Sequence, residues 1–161
     1  INDINGGSEE LFKLTKKYNA GLFLMHKRGT PKDMQKKLNP RANMVKEFDK
    51  FIEKRLKILD KMKFNLKKVW FDPGIGFGKT LNQNLQLMRS LSKYSYKNLQ
   101  ILLGSSRKSW INFIDPSNAD QRIGGSLASI THALQQNVNT FRIHDVQETN
   151  QMIKVLKALN K

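Results

Sequence analysis

Residues 70–80 read WFDPGIGFGKT, an apolar run that ends in Asp-Pro and opens into three glycines, a lysine and a threonine. Glycines beside Lys and Thr suggest a phosphate cradle, in which successive backbone N–H groups wrap an anion. The spacing argues against it. A nucleotide phosphate loop needs G-x-x-x-x-G-K-[ST], and counting back from Gly78, Lys79 and Thr80 puts Pro73, which has no N–H, at the first glycine. The dinucleotide pattern G-x-G-x-x-G fails too, because Gly74, Gly76 and Gly78 are spaced two and two. What remains is a carboxylate, Asp72, held where a strand runs into a glycine loop.

Similar signals recur. Asn2 and Asp3 lie in the first apolar run, Met25 and His26 end the second, Ser105-Ser106-Arg107-Lys108 follows the fourth, and Arg142-Ile143-His144-Asp145 ends the fifth. If the fifth run is a strand over 139–146, Arg142 and His144 share one face, since residues i and i+2 do. Arg suits forked contacts to phosphate and His adds a donor. Arg107, Lys108, Arg142 and His144 together place an anion site near the end of the chain, where α/β folds often hold phosphate.

The elements that would position these residues alternate regularly. Apolar runs at 1–4, 21–26, 69–72, 99–104 and 139–146 read as strands, continuous rather than alternating, as in a parallel sheet covered on both faces. Between them lie amphipathic stretches at 8–19 (Ser8 as N-cap; Leu11, Leu14 and Tyr18 on one face), 41–63 (Met44, Phe48, Phe51, Ile52, Leu56, Leu59 and Met62 at helical spacing), 82–94, 120–136 and 148–159. Gly29, Thr30 and Pro31 break the segment after the second strand. The class is α/β, one domain over residues 1–161 built from five β/α units. Gly124 and Gly125 weaken the start of the fourth helical stretch.

The net charge is +16, but 22 of the 29 basic residues are lysines spread along helices. That distribution reads as a solvated surface rather than a nucleic-acid groove. No apolar run is long enough to cross a membrane. There is no cysteine, hence no disulfide framework and no thiolate metal site. A cytoplasmic enzyme fits best.

NDI, LMHxxGTPxxM, DPGIGFGKT, GSSRKS and RIHDVxET occur in the order and approximate spacing of the dihydropteroate synthases, and the resemblance covers essentially the whole chain. It implies a (β/α)8 barrel, of which these five strands are the fourth to eighth, so a partial TIM barrel is expected. The family's N-x-T-P-D-S-F, G-x-E-S-T-R-P and D-T segments are not among these residues. The expectation is a C-terminal part whose three N-terminal β/α units are absent, inactive by itself. Full-length relatives are expected to be homodimers. The implied activity joins a dihydropterin diphosphate to p-aminobenzoate and releases diphosphate, with Mg2+ held by an asparagine of the absent part and no metal ligand here.

By resemblance Asn2, Met25, Asp72, Gly76 and Lys108 bind the pterin, with Asp72 accepting from its guanidine-like edge. A buried charged hydrogen bond of that kind contributes about 1.5–3 kcal/mol. Phe77, Ser106 and Lys108 would flank p-aminobenzoate, where sulfonamides would compete. Arg142 and His144 would grip the diphosphate and, with Lys108, carry catalysis. His26 is expected to shape its loop and His132 to be structural, while Lys27 and Arg28 add charge beside the pocket. The alternatives are a pterin-binding methyltransferase barrel, against which SRKS and RIHDV argue, and a non-catalytic remnant that needs another chain to complete its barrel.

Overall fold

The computed structural model describes residues 1–30, 33–34, 38–95 and 97–160; Pro31 of the expected breaker lies outside them. Five strands form one sheet in chain order: β1 (Asn2–Asp3), β2 (Leu22–Met25), β3 (Val69–Asp72), β4 (Gln100–Leu103) and β5 (Thr140–Phe141). Every neighbouring pair is parallel, with Met25 opposite Asp72 and Leu103 opposite Phe141. Helices α1 (Glu9–Lys17), α2 (Met44–Lys61), α3 (Leu81–Arg89), α4 (Ser92–Ser95), α5 (Ser109–Asn112), α6 (Ile123–Gln135) and α7 (Val146–Leu159) fill the connections. The five β/α units are thus observed, as a section of a (β/α)8 barrel has them. Because all strands run one way, all their C-terminal ends share one rim.

Side-chain alternation sorts the residues. Leu22, Leu24, Val69, Phe71, Ile101 and Leu103 face the helices and join Met44, Phe48, Ile52, Leu59 and Leu87 in one core. Phe23, Met25, Trp70 and Asp72 point the other way, and Phe23 packs on Trp70 with ring centroids 5.0 Å apart. Asp72 is therefore presented on the face that the helices do not cover. Among the described residues no helix is long and apolar enough to cross a membrane.

Several elements depart from the sequence expectations for local reasons. In α1 the Ser8 cap holds, accepting from the Leu11 N–H, but the buried residues are Phe12 and Thr15, while Leu14 and Tyr18 are 49% and 68% exposed. Phe12 carries more apolar surface than Tyr18, and the Thr15 hydroxyl is satisfied by the Leu11 carbonyl (2.7 Å), so it can be buried. The expected helix over 82–94 breaks after Arg89, where the Ser90 hydroxyl donates to the Leu87 carbonyl (2.9 Å). The expected strand over 139–146 pairs only at Thr140 and Phe141, and Arg142 N–H makes the last bond to the sheet, to the Leu103 carbonyl (3.0 Å).

Gly125 is needed despite its weak helix propensity. A Cβ there would lie 2.7 Å from the Ile111 side chain on α5, whereas Gly124 faces open space.

Candidate active site

The loop after β3 packs backbone against backbone on the loop after β2. Gly74 and Gly78 have φ of +61° and +68°. A Cβ at Gly74 would sit 1.9 Å from the His26 carbonyl oxygen, and one at Gly78 2.3 Å from that of Arg28. Only glycine meets both demands at once. Inside this loop the Asp72 carboxylate accepts from the Gly74 N–H (2.7 Å), and the Gly76 N–H donates to Asn84 Oδ1 (2.8 Å).

Lys79, the residue that makes the motif look like a phosphate loop, turns inward. It is 3% exposed, and its Nζ donates to the carbonyls of His26 (3.1 Å), Gly74 (2.9 Å) and Phe77 (3.0 Å). An ammonium has three N–H donors, so none is left for a phosphate. Burial pushes Lys79 down to about 7, with Asp72 opposing.

The loop after β4 is held at almost every residue. Ser105 and Ser129 hydroxyls meet at 2.7 Å, and the Trp110 indole donates to the Ser105 carbonyl (3.2 Å). Arg107 takes a φ of +55°, its N–H donating to Ser126 Oγ (2.8 Å) and its carbonyl accepting from Arg122 (3.0 Å). The Arg107 guanidinium forks onto Asp145, Nε to Oδ2 at 3.0 Å and Nη2 to Oδ1, and holds that carboxyl below its ordinary range. This fork ties the loop after β4 to the one after β5.

Lys108 leaves this loop toward the loop after β3. Its Nζ donates to the Ile75 carbonyl (2.6 Å) and stands 4.6 Å from the Phe77 ring centroid, a cation–π distance. Burial pushes it down to about 8, Asp72 opposing first. Asp72 itself is 1% exposed, and burial pushes its carboxyl up. Lys108 resists that most, followed by the Gly74 N–H, Arg142 and Lys79. The Arg142 guanidinium lies over Gly104, 3.1 Å from where a Cβ would be.

The structure therefore gathers Met25, Asp72, Gly76, Phe77, Lys108 and Arg142 at the rim. Met25, 1% exposed, is beside Asp72 in register, and a Cβ at Gly76 would touch Lys108 at 3.4 Å. Ser106 Oγ meets His144 at its N–H (3.4 Å) and Nδ1 (3.1 Å). β5 ends at Phe141, so strand alternation does not extend over Arg142 and His144: Arg142 lies beside Gly104 and His144 meets Ser106. Asn2 lies on β1, exposed and separated from β3 by β2.

His26 packs its ring on Phe48 and Phe51 (5.9 and 5.5 Å), and burial, with Lys79 and Arg28, pushes it down to about 3, so it is a neutral packing group. Both its backbone groups bind the β3 segment, N–H to Asp72 and carbonyl from Lys79. His132, in the last turn of α6, bonds Gln136 at the helix C-cap (2.7 Å). Lys27 bonds Asn5 (2.6 Å) in the loop after β1, and Arg28 pairs with Glu47 (3.4 Å) in the first turn of α2.

Sequence reasoning passed over Lys79, Asn84 and the Arg107–Asp145 fork. Only Lys79 carried a signal, its place in the glycine motif. A cleft of about 640 Å³ lined by Leu38, Lys79, Thr80, Leu81, Ser109 and Phe113 shares none of Asp72, Lys108 and Arg142. Among the described residues no group of three His, Cys, Asp or Glu could hold a metal ion.

Residues 1–144 match the family described as "Pterin binding enzyme". The chain is 35% identical over 162 residues to the bifunctional dihydropteroate synthase/dihydropteroate reductase of Helicobacter pylori, covering 100% of this chain and 42% of that protein. It superposes on the dihydropteroate synthase of Yersinia pestis in a sulfonamide drug complex with a TM-score of 0.90, at 31% identity over 99% of this chain and 58% of that one. For the Thermus thermophilus dihydropteroate synthase in complex with 4-aminobenzoate the TM-score is 0.88, at 29% identity over 99% and 65%. The chain spans about half the length of the curated relatives it matches.

Proposed function

We propose a function from one premise: the chain belongs to the pterin binding enzyme family. It is the pterin- and diphosphate-binding part of a dihydropteroate synthase, which condenses (7,8-dihydropterin-6-yl)methyl diphosphate with p-aminobenzoate. The observation that carries this reading is Asp72, a buried carboxylate faced by Lys108 and Arg142 on the open side of the sheet. A carboxylate pushed up by burial stays ionised when donors converge on it, and the guanidine-like edge of a pterin supplies such donors. The relatives named for dihydropteroate synthase, one holding 4-aminobenzoate and one a sulfonamide drug, support the same substrates.

In this reading Asp72 orients the pterin with Met25 as its apolar wall, and Asn2 and Gly76 complete the ring's edge. Phe77, Ser106 and the Lys108 stem flank p-aminobenzoate. The aniline nitrogen attacks the methylene carbon, the carbon–oxygen bond to diphosphate breaks, diphosphate leaves with the electron pair, and the nitrogen loses its proton to water. Arg142, His144 and Lys108 meet the leaving charge, a preorganised electrostatic contribution. No covalent nucleophile is required of Ser105 or Ser106, whose hydroxyls are engaged in the loop.

The test uses the protein expressed from its complete reading frame, given both substrates and Mg2+. Dihydropteroate and diphosphate should appear in equal amounts, and a sulfonamide should compete with p-aminobenzoate. Release of neither product overturns the reading.

A further inference from the structure

We propose that Lys79 is a positioning residue whose ammonium clamps two loops together and so holds Asp72 and Phe77 where the substrates need them. This inference rests on the function proposed above.

The geometry is specific. The three acceptors of Lys79 come from two segments, His26 after β2 and Gly74 and Phe77 after β3. Gly74 is also the residue whose N–H binds the Asp72 carboxylate, so fixing Gly74 fixes the Asp72 rotamer. Phe77 is the residue whose ring lies under Lys108. Lys79 thus grips the backbone at both substrate-facing groups without being placed against either substrate. It is also the one lysine of the glycine motif, and the proposed chemistry leaves it unused.

A buried ammonium that only stabilised the fold would affect unfolding and nothing else. A positioning ammonium also sets the pH dependence of the site. Asp72 is faced by Lys108, Arg142 and Lys79, and Lys79 by Asp72, Lys108, Arg28 and Glu47, with His26 neutral beside it. Without Lys79 the Asp72 carboxyl is pushed up further, and the acid limb of pterin binding moves to higher pH.

The experiment titrates the dihydropterin diphosphate into wild-type protein and Lys79→Met, both from the complete reading frame, across acid and neutral pH. Circular dichroism checks the fold. The expected result is about tenfold weaker binding and an acid limb at higher pH in a folded variant. Unchanged affinity and an unchanged limb in a folded variant overturn the proposal.

A second measurement needs neither the variant nor the ligand. Wild-type protein is treated with acetic anhydride and mapped by mass spectrometry. An accessible amine titrating as low as Lys79 would be acetylated early, so protection of Lys79 relative to exposed Lys13 and Lys154 supports the clamp, and reaction at their rate overturns it. If the wild type binds no pterin, the proposed function fails while this labelling still tests whether the Lys79 ammonium is locked between the two loops.

Discussion

The loop after β3 and the loop after β4 each carry one lysine into the same corner of the molecule. Lys79 is 3% exposed and places its three donors on three backbone carbonyls. Lys108 is half-buried, and among the described residues it reaches one carbonyl and one aromatic face. Burial lowers both, to about 7 and about 8, with Asp72 opposing in each case. Identical side chains near one carboxylate thus have different capacities. A cation whose donors are all used is part of the scaffold. One with donors to spare can accept a ligand.

The sharpest challenge to that contrast is steric. Gly74→Ala would drive a Cβ to 1.9 Å from the His26 carbonyl that Lys79 binds, and unfolding by urea should show a loss of more than about 3 kcal/mol. Gly76→Ala, whose nearest neighbour is the Lys108 stem at 3.4 Å, should lose about 1 kcal/mol, the strain of its positive φ. Equal losses would mean that the loop after β3 is held no more tightly at the His26 carbonyl than beside the Lys108 stem.

Next comes chemistry. Lys108→Met should lower the rate of dihydropteroate formation by about 100-fold while shifting the melting temperature little, the opposite balance to Lys79→Met. A melting shift larger than that of Lys79→Met would make Lys108 the scaffold residue.

The pH dependence separates the two further. Lys79 folds with a value of about 7 against an ordinary 10.5, so between these the unfolded chain binds more protons and its contribution to stability rises with pH. That slope should be missing in Lys79→Met, measured by urea unfolding across the window. Binding that depends on the Lys108 cation should instead weaken as pH rises through about 8. The smallest effect concerns the helix that Lys108 caps. Gly125→Ala should destabilise by about 1–2 kcal/mol by pressing on Ile111 of α5, whereas Gly124→Ala, in open space, should stabilise by up to about 1 kcal/mol.

The β/α order was legible because buried parallel strands are short apolar runs, and VWFD marks β3 to the residue. Asp72 and Lys108 were legible from their places at strand ends. The α1 face was misread because Tyr18 counted as apolar and Thr15 as polar, while a back-bonded Thr is buried more readily than an exposed Tyr ring. β5 was overextended because a run of residues does not say how many partners an edge strand will find.

By itself the sequence determined the class, the order of the elements and which residue types reach the rim, since periodicity and glycine placement are local properties. It also settled that the glycine motif is not a nucleotide phosphate loop, because that needs an N–H where Pro73 stands. Only the tertiary structure decided where each cation points. The acceptor that helps turn Lys79 inward belongs to His26, 53 residues away, and the carboxylate that anchors Arg107 is Asp145, 38 residues away. A donor's direction follows the acceptors within its reach, and which acceptors those are is known only once the chain has folded.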